Sequence, residues 1–307
     1  MNRVLPAILL ALAQPAWAQR VFPGGPAFPF SDSAIVITLG TGTPVPNPER
    51  SGPATAVVVG RRVFLFDAGA GVMRRMAAAG LPIDGVTAAF ITHLHSDHTL
   101  GLPDLILTSW VMGRSTPMRV FGPPGLRRMT DHFLAAWSED TVVRVKGLER
   151  GRPGGYRVEA HEITGGVVHD SEGVRITAIR VPHGEWEYSF AYRVDAAGRS
   201  IVISGDTRPS EALTRAAADV DVLVHEVYPE TRIAVENRPG GELWPRYLRE
   251  VHTSDVELGT LAAVAKPRVL LLAHILFMGG SEQEVLDGIR RGGFTGPVVV
   301  ARDLGRY

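Results

Sequence analysis

The sequence predicts a layered α/β domain, and two observations support this prediction. Short apolar runs rich in β-branched residues recur along the chain, and many are continuous enough to form strands buried on both faces. Helical patterns lie between some of these runs, so that a series of strands passes into alternating strands and helices. No second shift in composition occurs, and residues 34–307 are therefore expected to form one domain.

The predicted strands follow one another from residue 34 onwards. They are AIVITLG, TAVVVG, VFLFDAG, VTAAFITH, MRVFG, VRITAIRV, SFAYRVD, SIVISGD, VDVLVHEV, RVLLLAH and PVVVARD. Helices are predicted at residues 71–79, 124–137, 209–218, 254–265 and 281–291. The last two begin at Ser254 and Ser281, a residue type that caps helix amino termini well.

The first residues are typical of a secretory signal peptide. Arg3 precedes an apolar run at residues 4–13, and Ala16-Trp17-Ala18 predicts cleavage after Ala18. Because the run is about half of the ~20 residues that span a bilayer, we expect export to the periplasm or secretion, with no membrane anchor after cleavage. The Pro/Gly-rich residues 19–33 are expected to be a linker or a surface arm.

The composition excludes one class of site and gives no sign of others. The 307 residues include no cysteine, which rules out disulfides and thiolate metal ligands. Lys and Arg (32) balance Asp and Glu (32), so the charge gives no reason to expect a nucleic-acid or membrane-surface partner. The basic, glycine-rich segment 144–157 is expected to be a solvated loop rather than an RNA-binding arm.

The stretch FITHLHSDH, residues 90–98, indicates a metal site. His93 and His95 lie two positions apart on an extended segment and point the same way, so they can bind one ion together. Asp97 and His98 follow where the chain begins to turn, and they can face a second ion nearby. Imidazole nitrogens and carboxylate oxygens suit zinc, and also manganese or iron.

Further metal ligands are expected where later strands end. The candidates are His183 in VPHG, Asp206 in SGD, His252 in EVHTSD and His274 in LLLAH. A carboxylate after a run as apolar as IVISG has a high cost of burial unless it is paired. His161 and His169 are rivals of His183 for one ligand position, but His169 precedes a turn signal and is expected at a hairpin tip.

Together these residues resemble the metallo-β-lactamase fold superfamily. The motifs HLHSDH, VPHG, SGDT, EVHTSD and LLLAHI occur in the order found in that family, and the start TLGTGTPVPNPERSG is similar too. The chain looks closest to the branch of tRNase Z and the zinc-dependent arylsulfatases and phosphodiesterases, over about residues 34–303. The resemblance implies a four-layer αββα sandwich, in which two mixed β-sheets are flanked by helices.

The resemblance also implies a dinuclear site that holds two zinc ions, with manganese or iron as alternatives. It assigns His252 to substrate contact or protonation of the leaving group, and Glu226 to orienting His252. Asp67 would support a ligand histidine, and Asp97 would orient the nucleophile as well as bind metal. The implied ligands are His93, His95 and His183 for the first ion, Asp97, His98 and His274 for the second, and Asp206 as the bridge.

The expected activity is hydrolysis of a small ester, namely a phosphodiester, aryl sulfate or lactone, by a hydroxide that the two ions share. The predicted signal peptide, the net charge of zero and the apolar segment ILFMGG after His274 favour this small-molecule substrate over a nucleic acid. A tRNase Z-like ribonuclease, an iron-dependent oxidoreductase and a non-catalytic metal-binding protein stay open as alternatives. The sequence also leaves a homodimer open.

Overall fold

The computed structural model describes residues 28–307 and contains two seven-stranded β-sheets. The predicted signal peptide (1–18) and residues 19–27 of the predicted linker lie outside the described residues. Phe28 is buried and packs edge-to-face against Phe30, so this part of the predicted linker lies against the folded domain.

The first sheet has the strand order β14-β1-β2-β3-β4-β5-β6. Its first three strands in sequence pair antiparallel, and the third to the sixth pair parallel. The strands are β1 (Ala34–Gly40), β2 (Ala54–Val59), β3 (Arg62–Phe66), β4 (Val86–Phe90), β5 (Met118–Gly122), β6 (Val158–Glu162) and β14 (Gly305–Arg306).

The second sheet has the strand order β13-β12-β11-β10-β9-β8-β7. It is antiparallel from the seventh to the tenth strand and parallel from the tenth to the thirteenth. The strands are β7 (Gly166–Ser171), β8 (Val174–Arg180), β9 (Phe190–Ala196), β10 (Arg199–Ile203), β11 (Val222–Val227), β12 (Val269–Ile275) and β13 (Val298–Val300).

Helices cover the outer faces of both sheets. An aromatic-rich layer that includes Phe66, Phe90 and Tyr192 fills the space between the sheets. Residues of α1, α3 and α4 bury the outer face of the first sheet, and α6, α8 and α9 bury that of the second. The helices are α1 (Val72–Ala79), α2 (Ser96–Thr99), α3 (Leu102–Val111), α4 (Leu126–Ala136), α5 (Ser138–Lys146), α6 (Glu211–Ala216), α7 (Trp244–Val251), α8 (Asp255–Ala265) and α9 (Glu282–Arg291).

This arrangement confirms the four-layer αββα sandwich of two mixed sheets. Ser254 and Ser281 cap α8 and α9 as predicted, each within a capping box. Four of the nine α-helices within residues 28–307 were missed, namely α2, α3, α5 and α7. The α3 segment is apolar with little helical periodicity, a pattern that a short buried strand shares, and α7 begins in a stretch rich in glycine and proline.

Two local differences from the sequence expectations concern the loops. The segment 144–157 is a loop only after Lys146, because α5 extends to that residue. His169 lies within β7 and packs against Phe64, rather than at the hairpin tip. Within residues 28–307, every helix is too short or too polar to cross a bilayer.

Candidate metal centre

The candidate metal ligands converge where strands of both sheets end. His93 and His95 follow β4, and Asp97 and His98 lie on the short helix α2. Asp206 follows β10, and His274 lies near the end of β12. Because β10, β11 and β12 are parallel, their carboxyl ends share one edge of the second sheet.

The structure gathers these side chains into two groups, and within each group the candidate ligand atoms all lie within 4.8 Å of one another. Nδ1 of His95 lies 2.9 Å from Nε2 of His93 and 3.2 Å from Nε2 of His183. The first group is His93, His95, His183 and Asp206, and the second is Asp97, His98 and His274.

Asp206 lies between the two groups. Its Oδ1 is 3.4 Å from Nε2 of His98, and its Oδ2 is 3.6 Å from Nε2 of His274 and 4.0 Å from Nε2 of His93. Gly205, just before it, has a φ of +58°, and a Cβ there would lie 2.8 Å from the carbonyl oxygen of Phe190. Only glycine fits this turn, which places the carboxylate where a bridging ligand would stand.

Hydrogen bonds behind the cluster fix the tautomers of three histidines. Nδ1 of His98 lies 2.8 Å from Oδ2 of Asp67, and Nδ1 of His183 lies 2.8 Å from the carbonyl oxygen of Val251. Thr92 Oγ1 donates to Asp67, so it accepts from Nδ1 of His93. With Nδ1 as the donor, the neutral ring of each of these histidines would present the Nε2 lone pair to the cluster.

His95 differs from these three histidines, because its Nε2 rather than its Nδ1 is hydrogen-bonded outside the cluster. The indole N–H of Trp186 donates to its Nε2 over 2.9 Å, so Nδ1 faces the cluster. With Nε2 as the acceptor, the neutral ring carries its proton on Nδ1. Ligation through Nδ1 therefore requires that the proton moves to Nε2 and that the Trp186 contact loosens.

Burial and mutual repulsion keep imidazoles of the first group uncharged. Burial lowers the pKa of His93 well below its usual range, and His98 adds to this effect. Burial and His183 lower the pKa of His95 to about 4. Burial would raise the pKa of Asp206, but His274 and His98 outweigh it and hold that pKa well below its usual value. Neutral imidazole and charged carboxylate are the forms that bind a metal.

The residues fit a pair of divalent cations. Nε2 of His98 and Oδ1 of Asp206 are buried and have no hydrogen-bond partner, which is costly unless another group satisfies them. Asp67 and His274 have positive φ values of 58° and 48°, a strained conformation that concentrates at functional sites. The nitrogen and oxygen donor set is compatible with zinc, manganese or iron.

A buried carboxylate–imidazole pair lies beside the cluster. Nδ1 of His252, at the end of α7, is 3.1 Å from both carboxylate oxygens of Glu226 and 4.0 Å from Oδ2 of Asp206. The backbone N–H of Thr207 donates to Glu226, which fixes the carboxylate. Burial lowers the pKa of His252 and raises that of Glu226.

A pocket of about 670 Å³ opens onto these groups. His95, Asp97, Asp206, His252 and His274 form part of its wall. The rest of the wall includes side chains that the sequence reasoning missed, namely Arg50, Arg232, Trp244, Tyr247 and Phe277. Trp244 and Tyr247 stack at 4.9 Å between ring centroids, and their helical spacing just before His252 was the signal that could have revealed them.

The two rival histidines lie elsewhere. His161 stacks on Phe121 in the first sheet, and His169 packs against Phe64. Neither belongs to a metal-ligand group among the described residues, whereas His183 does.

Comparisons with known proteins identify relatives over most of the chain. A family model described as "Beta-lactamase superfamily domain" matches residues 62–275. Ribonuclease Z from Mycobacterium bovis (strain BCG / Pasteur 1173P2) is 33% identical over 278 residues, which cover 88% of this chain and 96% of the relative. Ribonuclease Z from Mycobacterium marinum is 35% identical over 88% of this chain and 97% of the relative.

Solved structures share the fold. Human tRNase Z, short form, superposes with a TM-score of 0.65 at 23% identity, over 89% of this chain and 98% of that one. The metallo-beta-lactamase fold protein YhfI from Bacillus subtilis gives a TM-score of 0.67 at 16% identity, over 90% and 99%.

These relatives correct two expectations. The expectation of a hydrolase for a small ester is wrong, because the similar proteins are named ribonuclease Z, in agreement with the alternative of a tRNase Z-like ribonuclease. The expectation of a small-molecule substrate and no nucleic acid is wrong for the same reason. Export of the chain stays a prediction. Net charge is an average over the whole chain, and it does not describe the surface that meets a substrate.

Proposed function

The chain belongs to the beta-lactamase superfamily as a metal-dependent hydrolase, and on that premise we propose that it is a ribonuclease that cleaves phosphodiester bonds in RNA. The similarity to ribonuclease Z along nearly the whole length of those relatives carries this proposal. The convergence of seven metal-type ligands beside the His252–Glu226 pair supports it.

The two ligand groups would hold two divalent cations, and we propose zinc. Cations bound there would supply Lewis acidity, which activates water and neutralises negative charge on a phosphate. The first cation would be held by the group of His93 and the second by the group of Asp97. Asp206 belongs to the first group and also lies near His98 and His274 of the second, so its carboxylate would be available to both cations.

His252 is suited to donate a proton to the departing oxygen of the cleaved bond. Its Nδ1 is held by Glu226, so Nε2 is the nitrogen left for the substrate, and His252 lines the pocket. A histidine oriented in this way can act as a general acid in its protonated form. Glu226 is a positioning residue, because it acts on the reaction through His252.

Asp97 and Arg50 complete the proposed roles of the chain's own residues. Asp97 lines the pocket, and its carboxylate can accept a hydrogen bond from the attacking water. The Arg50 guanidinium lines the same pocket, where its positive charge favours a phosphodiester. Its Nη1 bonds to Thr41 Oγ1 (2.8 Å) and to the carbonyl oxygen of Ala301 (3.0 Å), which hold the group in place.

The direct test is RNA cleavage by the purified, zinc-loaded full chain. A labelled tRNA transcript with a 3′ extension should be cut at one phosphodiester bond. The matched control is His252→Ala loaded with the same amount of zinc, which should bind the RNA but cut it far more slowly. Intact RNA after incubation with folded, fully metal-loaded wild-type chain would contradict the proposal.

A further inference from the structure

The helix α7 carries two aromatic rings on the side that faces the metal centre. Four of its side chains follow one another at the spacings i, i+3, i+4 and i+7, so they share one side of the helix. These side chains are Trp244, Tyr247, Leu248 and Val251. Leu248 and Val251 are buried and anchor the helix, whereas Trp244 and Tyr247 line the pocket of about 670 Å³.

The carboxyl end of α7 is fixed to the metal centre by hydrogen bonds. The carbonyl oxygen of Val251 accepts from Nδ1 of His183 over 2.8 Å. His252 follows directly, and Glu226 holds its Nδ1. The ring centroids of Tyr247 and His252 are 5.9 Å apart. The Tyr247 ring therefore has a defined position beside the proposed general acid.

One face of the Tyr247 ring is covered, and part of the ring stays exposed. Trp244 stacks on it with 4.9 Å between the centroids and 12° between the planes. The guanidinium of Arg238 lies over the Trp244 ring, so both faces of Trp244 are occupied. Tyr247 is nevertheless 37% exposed, and neither ring belongs to a hydrophobic cluster among residues 28–307. The exposed surface of Tyr247 is therefore available to a ligand in the pocket.

The Tyr247 side chain adds no charge to this pocket. Burial, followed by the carboxylates of Asp206 and Glu226, raises the pKa of Tyr247 to about 12. The hydroxyl group is therefore neutral at physiological pH, and the side chain does not repel a phosphodiester. Tyr247 offers an uncharged aromatic surface within the pocket that contains the metal ligands.

An exposed aromatic ring in this place suits an unpaired nucleobase. Every base has a π face, so stacking on an aromatic side chain tolerates any sequence. Bases inside a duplex already stack on their neighbours, whereas a base in a single-stranded segment can turn onto a protein ring. A peptide or a second copy of this chain is a less suitable occupant, because it would block the pocket through which a substrate reaches His252.

On the premise that the chain cleaves RNA, we propose that Tyr247 stacks an unpaired base of the substrate next to the cleaved bond. The stack holds the strand in one register, so that the bond to be cut lies beside His252. Tyr247 is thus a residue that determines which RNA segments are accepted.

The first test combines Tyr247 variants with abasic RNA. The zinc-loaded full chain receives tRNA transcripts with a 3′ extension, either intact or without the base on one or the other side of the cleaved bond. Tyr247→Leu should lower kcat/KM for intact RNA about 5- to 150-fold, the effect of losing one base–aromatic stack, and Tyr247→Phe should match wild type. One of the two abasic transcripts should lower kcat/KM of the wild type by a similar factor, and Tyr247→Leu should then cause no further loss.

Trp137→Leu is the matched control, because Trp137 is an aromatic residue that is 42% exposed and lies outside the pocket. It should cut every transcript as fast as wild type. Equal losses in Tyr247→Leu on intact and abasic RNA would show that the ring acts by packing within the site, and would overturn the proposal. Unchanged cleavage of intact RNA by Tyr247→Leu would overturn it as well, while the ribonuclease activity of the wild type would stand.

The second test measures stacking without cleavage. Transcripts with 2-aminopurine at successive positions of the 3′ extension are bound to zinc-loaded His252→Ala. Stacking on Tyr247 should quench the fluorescence at one position, and the quenching should disappear when Tyr247→Leu is added but remain with Tyr247→Phe. Such quenching without any cleavage by the wild type would support base stacking and contradict the ribonuclease function. Absence of both quenching and cleavage would overturn both proposals.

Discussion

Nδ1 of His252 lies 3.1 Å from each carboxylate oxygen of Glu226, so a buried carboxylate holds the imidazole that faces the substrate pocket. The two residues come from different elements, β11 and the end of α7. Neither belongs to the two metal-ligand groups. Substitution of either residue should therefore lower the rate of RNA cleavage without lowering the metal content of the chain.

Glu226→Gln should lower kcat by about 10- to 100-fold, the usual effect of removing a partner that orients a functional side chain. His252→Ala should lower kcat by about 100- to 10,000-fold, because a general acid is lost. Both variants should keep the wild-type metal content, which atomic absorption measures alongside RNA cleavage. A parallel loss of metal in His252→Ala would contradict its assignment outside the ligand set.

Variants that lack a metal ligand should lose bound metal as well as activity, unlike the His252 and Glu226 variants. His95→Ala and Asp206→Asn should each reduce the metal content of the chain and abolish turnover, because His95 belongs to one group and Asp206 lies between both. The exposed His132, on α4, provides the control, and His132→Ala should keep both metals and full activity. Two metals per chain in Asp206→Asn would argue against a shared carboxylate.

Asp67→Ala should weaken both the fold and the metal centre. The Asp67 carboxylate accepts from the backbone N–H of Thr92, from its hydroxyl and from Nδ1 of His98. Without this carboxylate, the three buried donors lose their acceptor, which should lower the free energy of unfolding by about 1–3 kcal/mol. Denaturant titration measures this change. Metal affinity should fall about 10- to 100-fold, since His98 loses the bond that orients it. If the variant is less stable but binds metal as tightly as wild type, Asp67 stabilises the fold and does not orient His98 for metal binding.

Trp186 should report metal binding. Its indole N–H donates to Nε2 of His95, and ligation through Nδ1 places a proton on that same Nε2. Two donors cannot remain in contact, so metal addition should change the fluorescence of Trp186. Trp186→Phe should remove this change and bind metal at least as tightly as wild type. A fluorescence change of equal size in Trp186→Phe would place its origin at another of the five tryptophans.

The sequence alone predicted much of the sandwich because strand and helix signals are local. Runs such as VLLLAH and the serine caps of α8 and α9 depend on neighbouring residues only. The prediction failed at α3, where an apolar segment without strong periodicity does not distinguish a helix from a buried strand. It also failed on the substrate, because whole-chain charge carries no information about which side chains line a pocket.

The sequence by itself determined the order of the motifs, the kinds of ligand atom available and the absence of thiolates, since these are properties of residue type and spacing. Only the tertiary structure decided that Asp206 stands between the two ligand groups and that Trp244 and Tyr247 share a pocket with His252. The reason is that distances between residues far apart in the chain depend on how the two sheets pack, and packing is a property of the whole fold.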